Sequence, residues 1–160
     1  MRTLILGLGD QGLHGNRVGL EVARKLHAML GDPDVDIIEA TTSGLDLIEV
    51  AAGYDKVVVV DSIRTGEGDV GELRRLGLSD LELVPHAGSG GDAEYRARLE
   101  LAAPRGTMMP REMSIYAIEV GENVQRNGEV AEIAREAVPR LVAQIAREEF
   151  GTVTLESEWF

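Results

Sequence analysis

The chain has 160 residues, of which 44% are apolar and 28% charged, with no cysteine and a formal net charge of −12. This length fits one domain, and this composition is ordinary for a globular protein, which argues against extensive disorder. The lack of cysteine excludes disulfides and thiolate metal sites, and the acidity disfavours nucleic acid and anionic membranes as partners.

The first half of the chain alternates between short apolar runs and helical periodicity. Thr3 to Leu8 is typical of a strand buried on both faces, and Val18 to Leu30 has the apolar spacing of a helix. Val35 to Glu39 predicts a second strand, Leu45 to Ala52 a second helix, and Val57 to Val60 a third strand. This alternation predicts a mainly parallel sheet with helical crossovers.

The second half of the chain has a looser pattern. Val70 to Leu76 predicts a short edge strand whose Arg side chains face water, and Ala93 to Ala102 predicts a helix. Ser114 to Val120 predicts another strand, and Glu129 to Phe150 is the longest helical segment. Pro139 lies inside that segment, so we expect a kink or two abutting helices there.

Together these elements predict an α/β fold, a three-layer sandwich in which a mainly parallel sheet of about five strands has helices on both faces. We expect residues 1–150 to form a single domain and residues 151–160 to form a tail. No segment approaches the roughly 18 apolar residues of a membrane span, so we expect a cytoplasmic protein.

Asp61 directly follows the predicted third strand. In open α/β sheets, ligands bind outside the carboxyl ends of the strands, near a reversal in strand order. An Asp at a strand end more commonly accepts hydrogen bonds from nearby backbone groups. Its position nevertheless makes Asp61 the first candidate for a functional side chain.

A dinucleotide-binding motif is also present. Gly7, Gly9 and Gly12 spell G-x-G-x-x-G after a strand, and Glu39 ends the next strand where such folds place a ribose-binding carboxylate. That motif requires a helix to begin almost at the second glycine, so that its N-terminus faces the pyrophosphate. Gly12, Gly15 and Asn16 follow that glycine and disfavour a helix there, so we expect the helix to begin near Arg17, which makes dinucleotide binding a third-ranked hypothesis.

Four segments in order carry a family resemblance: GLGDQGLHGNRVG, TTSGLDLI, VVVVDSIRTG and PHAG. This series resembles the hydrogenase maturation endopeptidases, and the resemblance spans most of the chain. The family's proposed metal ligands are an acidic residue in the first loop, the Asp that closes the third strand, and a His in a later loop. The resemblance assigns the last two to Asp61 and His86.

The first-loop ligand departs from the family pattern. The family's acidic pair falls at Gly15 and Asn16, and the usual Asn of its Gly-Asn pair is Asp10. The third ligand is therefore Asn16, or in its place His14 or Asp10. The resemblance also implies that Gly9, together with Thr42 and Gly44 in the turn after the second strand, shapes the cleft.

The activity implied by the resemblance is that of an endopeptidase with Asp61 and His86 as catalytic residues. It would remove a C-terminal extension from the precursor of a nickel-iron hydrogenase large subunit, with nickel supplied by the substrate. Imidazole and carboxylate suit Ni(II), which polarises a carbonyl or activates water without a serine or cysteine nucleophile. The main alternative is a non-catalytic relative that binds a metalloprotein precursor without cleaving it, because Asn16 is neutral.

Overall fold

The structure, a computed structural model, describes residues 1–9, 17–40, 47–63, 68–76, 108–120 and 136–151. In chain order these residues form β1 (Thr3–Leu8), α1 (Val18–Leu30), β2 (Val35–Ala40), α2 (Leu47–Ala51), β3 (Lys56–Ile63), β4 (Leu73–Leu76), β5 (Glu112–Glu119) and α3 (Val138–Phe150). The predicted helix from Ala93 to Ala102 lies outside the described residues.

The described strands form one five-stranded sheet in the order β2-β1-β3-β5-β4. β1 pairs in parallel with β2 on one side and β3 on the other, and β3 pairs in parallel with β5. β4 is antiparallel to β5 and lies at an edge. The prediction of a mainly parallel sheet is confirmed, and the strand order reverses between β1 and β3.

Helices cover both faces of the sheet, which confirms the three-layer prediction. α1 and α3 pack on one face, against a cluster that includes Ile5, Val58 and Tyr116. On the other face, Ala51 of α2 joins a cluster that includes Leu4 and Val59. Burial on both faces explains why β1 reads as a continuous apolar run instead of an alternating one.

Strand β3 is longer than predicted. We expected it to end at Val60, but it continues to Ile63 because Asp61, Ser62 and Ile63 pair with Ala117, Ile118 and Glu119 of β5. The placement of Asp61 after the strand is therefore wrong. Asp61 lies within the strand, two residues before the strand ends.

The edge strand β4 begins at Leu73 and not at Val70, because Val70 and Gly71 form a turn in which Gly71 has a φ of 89°. The prediction that its Arg side chains face water is only half right. The side chain of Arg75 is 58% exposed, whereas that of Arg74 is 27% exposed and lies 3.7 Å from the Glu119 carboxylate.

The last helix begins at Val138, with Ala137 as its N-cap and Pro139 in its first turn. Proline is tolerated there because the first N–H groups of a helix have no partner within the helix. The predicted interruption near Pro139 is confirmed, because Glu136 is helical, Ala137 is a turn and a helix begins at Val138. Residues 121–135 lie outside the described part of the chain. None of the described helices combines the length and apolar character needed to cross a bilayer.

Candidate active site

Asp61 lies at the point where the strand order reverses. Its strand, β3, is flanked by β1, which leads into the loop at residues 10–16, and by β5. Gly7 of β1 is level with Val60, and Ala117 of β5 is level with Asp61. In doubly wound sheets this reversal opens a crevice at the carboxyl edge, where ligands bind.

The environment of Asp61 disfavours a negative charge. Its side chain is partly buried, and the backbone N–H of Ser62 donates to Oδ1 over 2.7 Å. Burial raises the pKa of Asp61, and the bond from Ser62 only partly opposes that effect. A carboxylate held in such surroundings gains from a nearby cation, which compensates for its lost hydration.

The first turn of α1 packs directly against Asp61. A methyl group at Gly19 would lie 3.0 Å from the carbonyl oxygen of Leu8 and 3.1 Å from Cα of Asp61. These distances are too short for an ordinary carbon contact, so glycine is needed for this close approach. The loop at residues 10–16 therefore rejoins the described chain beside Asp61.

The other end of that loop is fixed at the same edge. Gly9 is buried, and its N–H donates to the carbonyl of Ala40, the last residue of β2, over 3.1 Å. Gly9 thus lies at the carboxyl edge of the sheet, whereas Asp10, His14 and Asn16 lie outside the described residues. The described residues on either side of them, Gly9 and Gly19, both contact this edge.

The remaining predicted site residues, Thr42, Gly44 and His86, also lie outside the described residues. Chain length permits His86 to reach this edge, since it lies ten positions after Leu76 at the end of β4. Ten residues span up to about 33 Å. Among the described residues, no three His, Asp or Glu side chains cluster as a metal site.

Sequence reasoning missed one buried carboxylate at the same edge. Glu119 is fully buried and pairs with Ile63, two residues beyond Asp61, so both side chains lie on the α2 face. Arg74 of the edge strand lies 3.7 Å from its carboxylate. A glutamate at an inward position of an otherwise apolar strand was the available signal, because a buried charge requires a partner.

Other residues named from the sequence lie away from this edge or have structural partners. His27 donates from Nε2 to the carbonyl of Val35, at the opposite end of β2, over 2.9 Å. Glu39 accepts a hydrogen bond from Arg24 over 2.8 Å. Helix α1 begins at Val18, nine residues after Gly9, so its N-terminus does not have the placement that a dinucleotide-binding motif requires.

The sequence profile of the hydrogenase maturation proteases matches residues 20–148. No curated protein matches the chain.

Several solved structures resemble the whole chain. The hydrogenase maturating endopeptidase HybD from Escherichia coli is 19% identical, with a TM-score of 0.59 over 93% of this chain and 94% of that one. The HycI protease from Thermococcus kodakarensis is 20% identical, with a TM-score of 0.57 over 91% and 90%. A hydrogenase 2 maturation peptidase from a Thaumarchaeota archaeon is also 20% identical, with a TM-score of 0.60 over 92% and 97%.

Proposed function

This chain belongs to the hydrogenase maturation protease family, and from that membership we propose that it removes a C-terminal extension from a nickel-loaded hydrogenase large-subunit precursor. The observation that carries the proposal is the place of Asp61, at the reversal of strand order and beside the start of α1. A substrate that reaches this edge meets Asp61 and the loop at residues 10–16 together.

Nickel enters this proposal as part of the substrate. Asp61 supplies a carboxylate whose charge is disfavoured by burial, which is a suitable partner for a divalent cation. His86 supplies a nitrogen ligand, and Asn16, His14 or Asp10 supplies the third. A bound nickel ion would polarise the scissile carbonyl or lower the pKa of a water molecule. The protein's own contribution is to hold these ligands at one edge.

A second candidate function rests on the first loop. Gly15 and Asn16 stand where the family has an acidic pair, so the loop supplies no negative charge at that position. In this alternative the protein binds a metalloprotein precursor and does not cleave it. The two functions share a binding step and differ in the chemical step.

Mass spectrometry of a nickel-loaded hydrogenase precursor, incubated with the protein, separates the two functions. We expect the precursor to lose the mass of its C-terminal extension, and we expect Asp61→Asn to abolish that loss. A precursor that binds but keeps its mass, under conditions where another family member cuts it, identifies the non-catalytic alternative.

A titration with Ni²⁺ or Cd²⁺ tests His86 without a precursor. We expect His86→Ala to weaken binding at least about tenfold, since a lost ligand also leaves its neighbours without support. His27→Ala is the matched control, because the ring of His27 bonds to the carbonyl of Val35 away from the site. Equal affinities for wild type and His86→Ala would remove His86 from the metal site.

A further inference from the structure

The hydroxyl of Ser62 joins β3 to the first turn of α1. Successive side chains of a strand point to opposite faces, so Ser62 faces α1 whereas Asp61 faces the α2 side. The Oγ of Ser62 accepts a hydrogen bond from the backbone N–H of Gly19 over 3.1 Å, in a partly buried position. The residue next to Asp61 therefore contacts the start of α1.

This bond takes the place of an ordinary helix cap. The first N–H groups of a helix need partners from outside the helix, and the side chain of the N-cap residue commonly supplies one. Here the N-cap is Arg17, which makes no side-chain cap bond. Gly19 is the second residue of the helix, and its N–H is satisfied from β3 instead. A cap from another element ties the helix to that element.

The hydrogen bond between Gly19 and Ser62 forms where the backbones of α1 and β3 are already in contact. The missing side chain of Gly19 lets α1 approach the backbone of Asp61, and the Ser62 hydroxyl fixes the distance by a directional bond. Asn16 lies three residues before Gly19. A shift of the first turn of α1 would therefore move Arg17, the described residue next to Asn16 in the chain, relative to Asp61.

We propose that Ser62 is a positioning residue, which holds the first turn of α1, the element that follows residues 10–16 in the chain, beside Asp61. The role rests on the proposed function, in which that segment and Asp61 bind one metal ion. Ser62 does not touch the metal or the substrate in this role. It acts through the backbone of Gly19.

The test compares Ser62→Ala with Ser114→Ala. Ser114 is the matched control because its hydroxyl lies on the same sheet face, on β5, and bonds to Glu149 of α3 over 3.0 Å. Both substitutions remove one hydroxyl from a strand. Urea unfolding measures how much stability each variant has lost. A general loss of stability can then be separated from a local effect in the two measurements below.

Amide hydrogen exchange measures the hydrogen bond between Gly19 and Ser62 directly. We expect Ser62→Ala to speed exchange at residues 17–20 about fivefold, the effect of losing one hydrogen bond, and Ser114→Ala to leave those residues unchanged. Unchanged exchange in Ser62→Ala would overturn the proposal. So would an equal increase in Ser114→Ala, because the effect would then be a general loss of stability.

Titration with Cd²⁺ reports the consequence for the site. We expect Ser62→Ala to bind Cd²⁺ at least about tenfold more weakly than Ser114→Ala, the low end for lost support of a metal ligand. Faster exchange with equal Cd²⁺ affinities would make Ser62 a structural residue and overturn its positioning role. Asp61→Asn separates this failure from that of the proposed function: if it binds Cd²⁺ as tightly as wild type, the metal site is wrong and both proposals fall.

Discussion

Asp61 holds a carboxylate at a position that destabilises the free protein. Its folded-state pKa is raised by burial, so its ionisation opposes folding. The unfavourable contribution is absent when the pH is below the ordinary Asp value of 3.8, and it develops as the pH rises through the raised folded value. Strained or desolvated groups of this kind are typical of functional sites.

We therefore expect Asp61→Asn to stabilise the protein at pH 7 by roughly 0.5–2 kcal/mol, while it removes activity. The amide has the same shape, and its oxygen still accepts the bond from the Ser62 N–H. Urea unfolding at pH 7 and pH 3.5 measures the gain, which should shrink at the lower pH. A variant less stable than wild type at pH 7 would show that the Asp61 charge has a stabilising partner.

Gly19 provides a second test at this scale. Replacing a glycine inside a helix by alanine ordinarily stabilises a protein by about 1 kcal/mol. We expect Gly19→Ala to destabilise by about 1–3 kcal/mol instead, because its methyl group meets the backbones of Leu8 and Asp61. Ala28→Gly, at an exposed position of α1, is the control and should cost about 1 kcal/mol from helix propensity alone. Stabilisation by Gly19→Ala would contradict the close packing.

Single residues differ in how far the sequence reveals them. Asp61 was predictable because it follows an unbroken run of valines, a pattern that fixes its strand. For Glu119 the sequence offers only the signal of a charge within a largely apolar strand, because its partner Arg74 comes from a distant part of the sequence. The roles of Gly19 and Ser62 depend on the same kind of contact, between a helix and a strand that are 43 positions apart.

At the scale of elements, the C-terminal end of α3 is fixed to the sheet by one glutamate. Glu149 has a side chain that is 6% exposed, and it accepts hydrogen bonds from Ser114 and Tyr116 and lies 3.1 Å from Nζ of Lys56. Burial alone would raise the pKa of Glu149, but bonds from Tyr116, Lys56 and Ser114 outweigh it and lower that pKa. A lowered pKa means that ionised Glu149 stabilises the fold.

We expect Glu149→Gln to destabilise the protein by about 1.5–3 kcal/mol at pH 7, the range for hydrogen bonds to a charged group. The difference from wild type is present above the ordinary Glu value of 4.5 and is lost as the pH falls through the lowered folded value. Glu148→Gln is the control: Glu148 also accepts a hydrogen bond from Tyr116, over 2.9 Å, but it is exposed, so we expect this variant to lose less than about 1 kcal/mol. Chemical unfolding at several pH values measures both. Equal losses would show that Glu149 is not the anchor.

The sequence predicted elements well where one segment determines its own structure. β1 and α1 have the predicted bounds because an apolar run and a helical period are local signals. The predicted end of β3 and the predicted start of β5 were wrong, because pairing between the two strands continues beyond their apolar runs. The break near Pro139 was predictable, because proline favours the first turn of a helix over its interior.

For the whole molecule, the excess of 12 negative charges sets up repulsion that compact folding increases. The described ion pairs at the surface, such as Arg2 with Asp36 and Arg24 with Glu39, each contribute little. We expect the urea midpoint to rise when NaCl is raised from about 10 mM to about 150 mM, because salt screens repulsion between exposed charges. A midpoint that falls with added salt would mean that attractive pairs dominate.

Residues 10–16 are flanked on both sides by contacts that do not involve them. Gly9 is bonded to the end of β2, and Gly19 is bonded to β3, so the sheet fixes the chain on either side of this segment. We therefore expect that the acidic segment of a relative can be grafted between these two glycines without loss of the scaffold. Under the proposed function, such a graft would supply the acidic pair at positions 15 and 16 and strengthen metal binding.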